Sequence, residues 1–316
     1  MLAATNALDI HNRLASADPE VRRIAVMSLL DSDEDDIEAL LLAALQDADA
    51  KVRVEAARLL EGYETHAVVA GLVSALEDDD IEICEAAAAS LAELKEAPMG
   101  DGLLAALPDV KTPFAKAALF RALRELRRTE AFSPALAALQ EHAAEVRCAA
   151  LGVLGYLKNE DALPAIARIA GADPDAEARR IAVGALGFAT DLGTVTPALK
   201  QALQDSSWQV REEATATLGK LLVVEAIDDL IAAMADPYWQ VRIKAARSLG
   251  KMKARAALVV LIDALNHTIS NLRKEAAIAL GEVGDRGAIA ALEKAQADPD
   301  PDVRKLARIA LNQIAK

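Results

Sequence analysis

Four histidines, His11, His66, His142 and His267, and two cysteines, Cys84 and Cys148, are the side chains of this 316-residue chain best suited to hold a metal or attack a substrate. Their placement argues against both. A protein metal centre gathers three or four ligands, often at short fixed spacings, and these histidines are scattered singly along the chain. A nucleophilic cysteine needs a lowered pKa and a neighbouring base, and no residue can be named as that base for either thiol. Free cysteine serves equally well as a small apolar filler. No Gly-rich phosphate loop and no Ser/His/Asp spacing stands out. The acid runs Asp33–Asp36 and Glu77–Asp80 carry enough charge to attract calcium, but they lack the alternating ligands and central glycine of a calcium loop. They read as solvated turns. No catalytic residue, no metal and no cofactor is expected.

Charge narrows the partners. The net charge is −14, and it is unevenly spread. Residues 1–100 hold 22 acids and 7 bases, whereas residues 101–316 hold 27 acids and 28 bases. Phosphate neutralisation supplies most nonspecific nucleic-acid affinity, so a chain this acidic is a poor general binder of DNA or RNA. No apolar run approaches the roughly 20 residues a bilayer requires. Residues 1–13 lack a basic segment followed by an apolar block, so no leader is read. Two cysteines make no disulfide framework, which suits a reducing, cytoplasmic, bacterial-type setting.

The elements that carry these side chains are set by a repeat. Aligned on Val-Arg, the second position falls at residues 22, 53, 84, 116, 147, 179, 211, 242, 273 and 304. Aromatic residues are only 3% of the chain, so the core must be built from small aliphatic side chains, which suits stacked helices. Each copy reads as two helices joined by a polar turn. Three residues after the reference position stands Ala, except at Leu119; seven after it stands Leu in all ten copies, from Leu29 to Leu311. That spacing places both on one face of the second helix. No repeat can bury this stripe alone, so neighbours must stack. Asp47, Asp78, Asp173, Asp205, Asp236 and Asp298 stand six before the reference, placed to accept N–H groups where the second helix begins. Gly155, Gly187, Gly219, Gly250 and Gly281, eight after it, would help end that helix.

The pattern D-x4-V-R-x2-A-x3-L-G resembles the HEAT-like repeats of the phycobilin-lyase type over essentially the whole chain. The resemblance implies an all-α fold, a right-handed α-α superhelix (solenoid) of ten HEAT-like hairpins. It would be one array over 1–316, acidic in repeats 1–97, with an irregular junction near 98–113 and further repeats over 114–316. It also implies a ladder of paired Asp and Arg along the turns, Asp205 with Arg211 and Asp236 with Arg242 among them. The ladder would break where Cys84 and Lys116 replace arginine. Two enzymatic branches of similar architecture fit poorly. Deoxyhypusine hydroxylase uses His-Glu dipeptides, and none of the four histidines precedes Glu. The DNA-glycosylase branch relies on a basic groove.

By the same resemblance the second helices line a concave face. On it Gly152 and Gly184 share one register and Tyr156 and Phe188 another, an apolar centre where glycine admits something close to the backbone. Arg121, Arg124 and Arg128 flank it on one side, and Lys220, Lys244, Arg247 and Lys251 on the other. This face would take an acidic or mixed apolar and anionic segment of another protein, the chain itself being monomeric. The expected function is a non-enzymatic protein-binding scaffold, adaptor or assembly factor. The alternative is a bilin lyase or chromophore-handling chaperone, because a bilin is an apolar tetrapyrrole with anionic propionates. A second patch on the turns comprises Trp208, Tyr238 and Trp239, with Trp208 and Trp239 stacked.

Overall fold

The computed structural model describes residues 10–32 and 34–315. Asp33 of the first acid run, and residues 1–9 of the stretch read for a leader, lie outside them. Among the described residues the only regular elements are helices. After helical residues 10–14 come α1 (Pro19–Met27), α2 (Ile37–Ala44), α3 (Ala50–Leu59), α4 (His66–Ala75), α5 (Ile81–Ala92), α6 (Gly100–Ala106), α7 (Pro113–Glu125), α8 (Phe132–Ala138) and α9 (Ala144–Leu157). These make the first of two units, which divide between Leu157 and Lys158. The second unit holds α10 (Leu163–Ala172), α11 (Ala176–Ala185), α12 (Leu192–Ala202), α13 (Trp208–Leu221), α14 (Ile227–Ala233), α15 (Trp239–Lys251), α16 (Leu258–Ala264), α17 (Ser270–Val283), α18 (Ile289–Ala295) and α19 (Pro301–Ile314). Each unit is a stretch of α-solenoid.

The first residues of the second helices explain where they begin. Asp18, Asp49, Asp80, Thr112, Asp175 and Asp300 each accept a backbone N–H from the first turn that follows. Pro19, Pro113 and Pro301 stand just inside, where a missing N–H costs nothing. The capping residue is thus four before the reference position. The Asp six before it accepts the N–H of the capping residue itself, as Asp236 does from Tyr238 at 2.8 Å. The Pro/Gly-rich stretch near 98–113 folds as an ordinary hairpin. Pro98 sits in a 3-10 turn (Ala97–Met99), Gly100 opens α6, and Pro113 opens α7.

Helix ends differ from the sequence expectation. Gly219, Gly250 and Gly281 lie inside α13, α15 and α17. The chain turns three residues later, where Leu222, Lys253 and Gly284 adopt positive φ of 54°, 50° and 68°. Arg127 and Lys158 do the same at that register, with φ of 58° and 53°. A left-handed conformation costs an L residue about 1–2 kcal/mol, and glycine nothing. Leu222→Gly should therefore raise stability by about 0.5–1 kcal/mol once the unfolded-state entropy of glycine is counted. Chemical denaturation of the variant checks this; a loss of stability would refute it.

The core runs along the second helices. The residue three after the reference, alanine in nine copies and Leu119 in the other, is fully buried from Ala25 through Ala307. The leucine seven after it is 0–1% exposed in nine copies, Leu29 through Leu280, and Leu311 is half-buried. In the first unit α1, α3, α5, α7 and α9 pack in succession; in the second, α13, α15, α17 and α19 do. Each buried leucine contributes about 1.5–3 kcal/mol, and the small residues let backbones approach. Two hydroxyls reach across that layer to the preceding helix. Ser90 donates to the Ala57 carbonyl and Ser248 to the Thr215 carbonyl, both at 2.8 Å.

Candidate functional site

Most arginines at the reference position tie the turns together. Nη1 donates back to the carbonyl six residues earlier in its own turn, at 2.8 Å in Arg22, Arg53, Arg179, Arg211, Arg273 and Arg304. Nε and Nη2 grip the carboxylate of the next turn in a two-bond fork. The forks are Arg22–Asp47 and Arg53–Asp78 in the first unit, and Arg179–Asp205, Arg211–Asp236 and Arg273–Asp298 in the second. The ladder therefore links arginine to the following aspartate; Asp205 meets Arg211 only through its carbonyl. Lys116 does not break the ladder, because its Nζ reaches Glu141 at 2.8 Å. Cys84 does break it, and its buried Sγ lies against the Asp78 carbonyl.

The fork sets the acidity of these groups. Arg22 holds the Asp47 carboxyl below the usual carboxylate range against the upward push of burial. Burial pushes Asp236 up, but Arg211 and the Tyr238 N–H together bring it below its ordinary value. The acid run Glu77–Asp80 is accounted for in the same way. Glu77 accepts the Lys111 and Thr112 N–H groups, Asp78 takes Arg53, and Asp80 caps α5. Among the described residues no group of three or more His, Cys, Asp or Glu is placed to hold a metal ion.

On the turns, Trp208 stacks on Tyr238 rather than on Trp239. Their ring centroids are 5.4 Å apart and their planes 13° from parallel, with the Arg211 guanidinium 5.8 Å over the Tyr238 ring. Tyr238 takes the extended capping position of α15, which aims its ring back along the turns. Tyr238 and Trp239 are 45% and 36% exposed, large for aromatic side chains.

On the second-helix face of the first unit, the bases do different jobs. Arg121 is exposed and pairs with no acid among the described residues. Arg124 pairs with its neighbour Glu125 at 2.6 Å, and its stem lies across Gly152, where an added Cβ would stand 3.4 Å from Nη1. Arg128 lies beyond the end of α7. Its guanidinium donates to Asp101, Glu130 and the Ala97 carbonyl, and its stem fills the space that a side chain at Gly100 would need. It holds the hairpin together and is not available to a partner. Tyr156, in the last turn of α9, is 42% exposed.

The second unit carries acids that the sequence reading passed over. Gly184 faces Glu213, whose Oε1 would stand 2.9 Å from an added Cβ. Arg180 reaches Glu213, Lys244 reaches Glu212, and Arg247 forks onto the nearly buried Glu275 at 2.7 Å and 2.9 Å. These acids stand one or two positions after the reference, so their spacing recurs with the repeat. Lys220 extends over Gly187, and Lys251 pairs with no acid among the described residues. Phe188 falls in a 3-10 turn (Leu186–Phe188) and is half-buried. What approaches the two glycines is thus a charged side chain of the chain's own neighbouring repeat.

The family model for HEAT repeats matches residues 8–93, 100–187, 169–238 and 227–312. No curated protein matches. Among solved structures the chain is similar to an engineered protein at 20% identity, covering 98% of each chain with a TM-score of 0.56. It is similar to the Escherichia coli protein YibA at 17% identity, covering 92% of this chain and 95% of that one, with a TM-score of 0.55. It is also similar to Kap95p, crystallised with RanGDP, at 15% identity and a TM-score of 0.62 over 98% of this chain. The chain spans 48% of Kap95p. At these identities the likeness is one of fold.

Proposed function

This chain belongs to the HEAT-repeat family, and from that we propose that it works as a non-enzymatic scaffold that holds another protein. The observation that carries this reading is register. Second helices pack side by side within each unit, so positions one, two, five and nine after the reference repeat across neighbouring helices as continuous rows. Rows of this kind offer a long docking surface for one extended partner. Kap95p, of like fold, binds RanGDP, and Kap121p, also of like fold, binds Nup53p and the extreme C-terminus of Cdc14p. The proposed contacts are, in the first unit, Tyr156 as an aromatic anchor with Arg121 and, separately in the second unit, Lys220 and Lys251, cations that no acid among the described residues answers. They suit a segment of mixed apolar and anionic character.

Affinity capture from the native host identifies the partner. Tyr156→Ala should then weaken its binding about tenfold or more, as truncation of an exposed anchor does. Arg121→Ala, Lys220→Ala and Lys251→Ala should each weaken it less and steepen no unfolding curve. Binding unchanged in all four would remove this face from the proposal. A shift in the absorption spectrum of a bilin mixed with the protein at micromolar concentration would replace the scaffold reading with a chromophore-handling one.

A further inference from the structure

The ladder fails on one side only between Arg242 and residue 267. Where Cys84 replaces arginine, the residue that would answer it is Val110, so both charges are gone together. At the later gap the acid alone is lost: His267 stands where the register calls for aspartate, and the arginine remains. Among the described residues Arg242 finds no ion-pair partner and donates no side-chain hydrogen bond, not even to the carbonyl six residues earlier. Its Nε is buried without a partner. Only one other buried side-chain polar atom among the described residues shares that condition, Gln240 Oε1, two positions earlier on α15. A buried N–H left unanswered costs folding free energy that a bound acceptor would recover.

His267 supplies half of what the missing aspartate would. Its Nδ1 accepts the Ile269 N–H at 3.0 Å, as Asp236 accepts from Tyr238. The remaining proton must then sit on Nε2, a second donor. Burial and the nearby Arg242 and Arg273 guanidiniums push its pKa down, so the ring is neutral at pH 7. Arg242 and His267 line one cavity of about 280 Å³, with apolar walls from Ile231, Met234, Val260 and Leu272. Asp263 stands on the same cavity, exposed, and forms no ion pair with Arg242. Clefts of about 450 Å³ and 610 Å³ lie beside the neighbouring forks, but there Arg211 and Arg273 already hold Asp236 and Asp298. The vacancy at Arg242 is one of charge, not of space.

We propose that this gap is completed in trans: an Asp or Glu carboxylate of an extended partner segment docks on Arg242 and His267, and an apolar neighbour of that acid enters the cavity between Ile231, Met234, Val260 and Leu272. A planar carboxylate matches the fork that the Arg–Asp links display. A phosphate, with twice the charge, would meet the Asp263 carboxylate. The proposal rests on the protein-binding reading only in taking the occupant to be a polypeptide, and it concerns the turns rather than the second-helix face.

The test uses the full chain and fluorescein-labelled heptapeptides with a central Asp or Glu flanked by Leu, Val or Phe, each beside its Asn or Gln counterpart. Anisotropy titration should show the acidic peptides binding about tenfold or more tightly than the amides, the worth of one charge-assisted fork. His267→Asp closes the link within the chain. It should raise the thermal midpoint by about 3 °C and abolish peptide binding. Arg242→Gln should abolish binding without that rise, and Tyr156→Ala should leave peptide binding intact. Equal binding of acid and amide, no binding up to millimolar peptide, or binding retained in both variants at the ladder overturns the proposal. Self-association of the wild type that His267→Asp removes would assign the link to a second copy and overturn it likewise. Loss of native-partner capture in Tyr156→Ala alone bears on the second-helix face and leaves this inference standing.

Discussion

Asp236→Ala should cost about 2–4 kcal/mol of stability at pH 7, measured by urea denaturation. Its carboxylate side chain is 8% exposed and that of Arg211 14%. The substitution removes two arginine bonds of 2.6 Å and 3.0 Å and the Tyr238 N–H bond of 2.8 Å, and it leaves the guanidinium without its counter-charge, held only by carbonyls of its own turn. Breaking one side of a largely buried pair costs about 3–5 kcal/mol, reduced here by the water that still reaches the fork. The pH dependence follows from the lowered pKa of Asp236, as of Asp47, Asp78, Asp205 and Asp298. A depressed carboxyl pKa contributes stability that is fully present above the unfolded value near 3.9 and is lost as pH falls through the folded value. Wild type and Asp236→Ala should therefore differ fully at pH 5–8 and converge below about pH 4. A constant difference down to pH 2 would show that the fork is not what the substitution removed.

Gly250→Val should be comparably damaging, by about 3 kcal/mol, for a reason unrelated to charge. An added Cβ at Gly250 would stand 2.7 Å from the Ala279 Cα and 2.9 Å from its Cβ. Backbone cannot swing aside as a lysine tail can, so α15 and α17 must part and the layer formed by Leu249 and Leu280 loosens. An added Cβ would stand 3.0 Å from the Ala310 Cα at Gly281 and 2.8 Å from the Ser248 Cα at Gly219, so the same result is expected there. Gly152→Ala is the control. The nearest atoms are the movable end of Arg124 at 3.4 Å and 3.8 Å, and alanine gains up to about 1 kcal/mol in helix propensity. Thermal melts of the pair should move in opposite directions.

Those two glycines also show how far the sequence could be read. Period, helix face and buried stripe were all legible, because Ala and Leu recur at fixed offsets and burial follows offset directly. The glycine eight after the reference was legible as special but not in its cause. A helix-ending residue and a close-packing residue leave the same letter, and only a neighbouring backbone tells them apart. The ladder was legible as a pairing of Asp with Arg. Its direction was not, since each turn carries both partners and the choice between its own acid and the next depends on how far successive turns are offset. The exposed bases were found by charge alone. Glu212, Glu213 and Glu275 were missed because their partners lie on other helices, some thirty residues away.

Every fork in the ladder joins residues 25 or 26 positions apart, and the buried serine bonds span 33. No closure of this kind grows when another copy is appended. Since the entropy of bringing two chain points together depends on the length between them, the search for each contact is as short in the tenth repeat as in the first. Refolding should thus start from several places along the chain and spread outward, with a rate set by one hairpin meeting the next rather than by 316 residues finding a common centre.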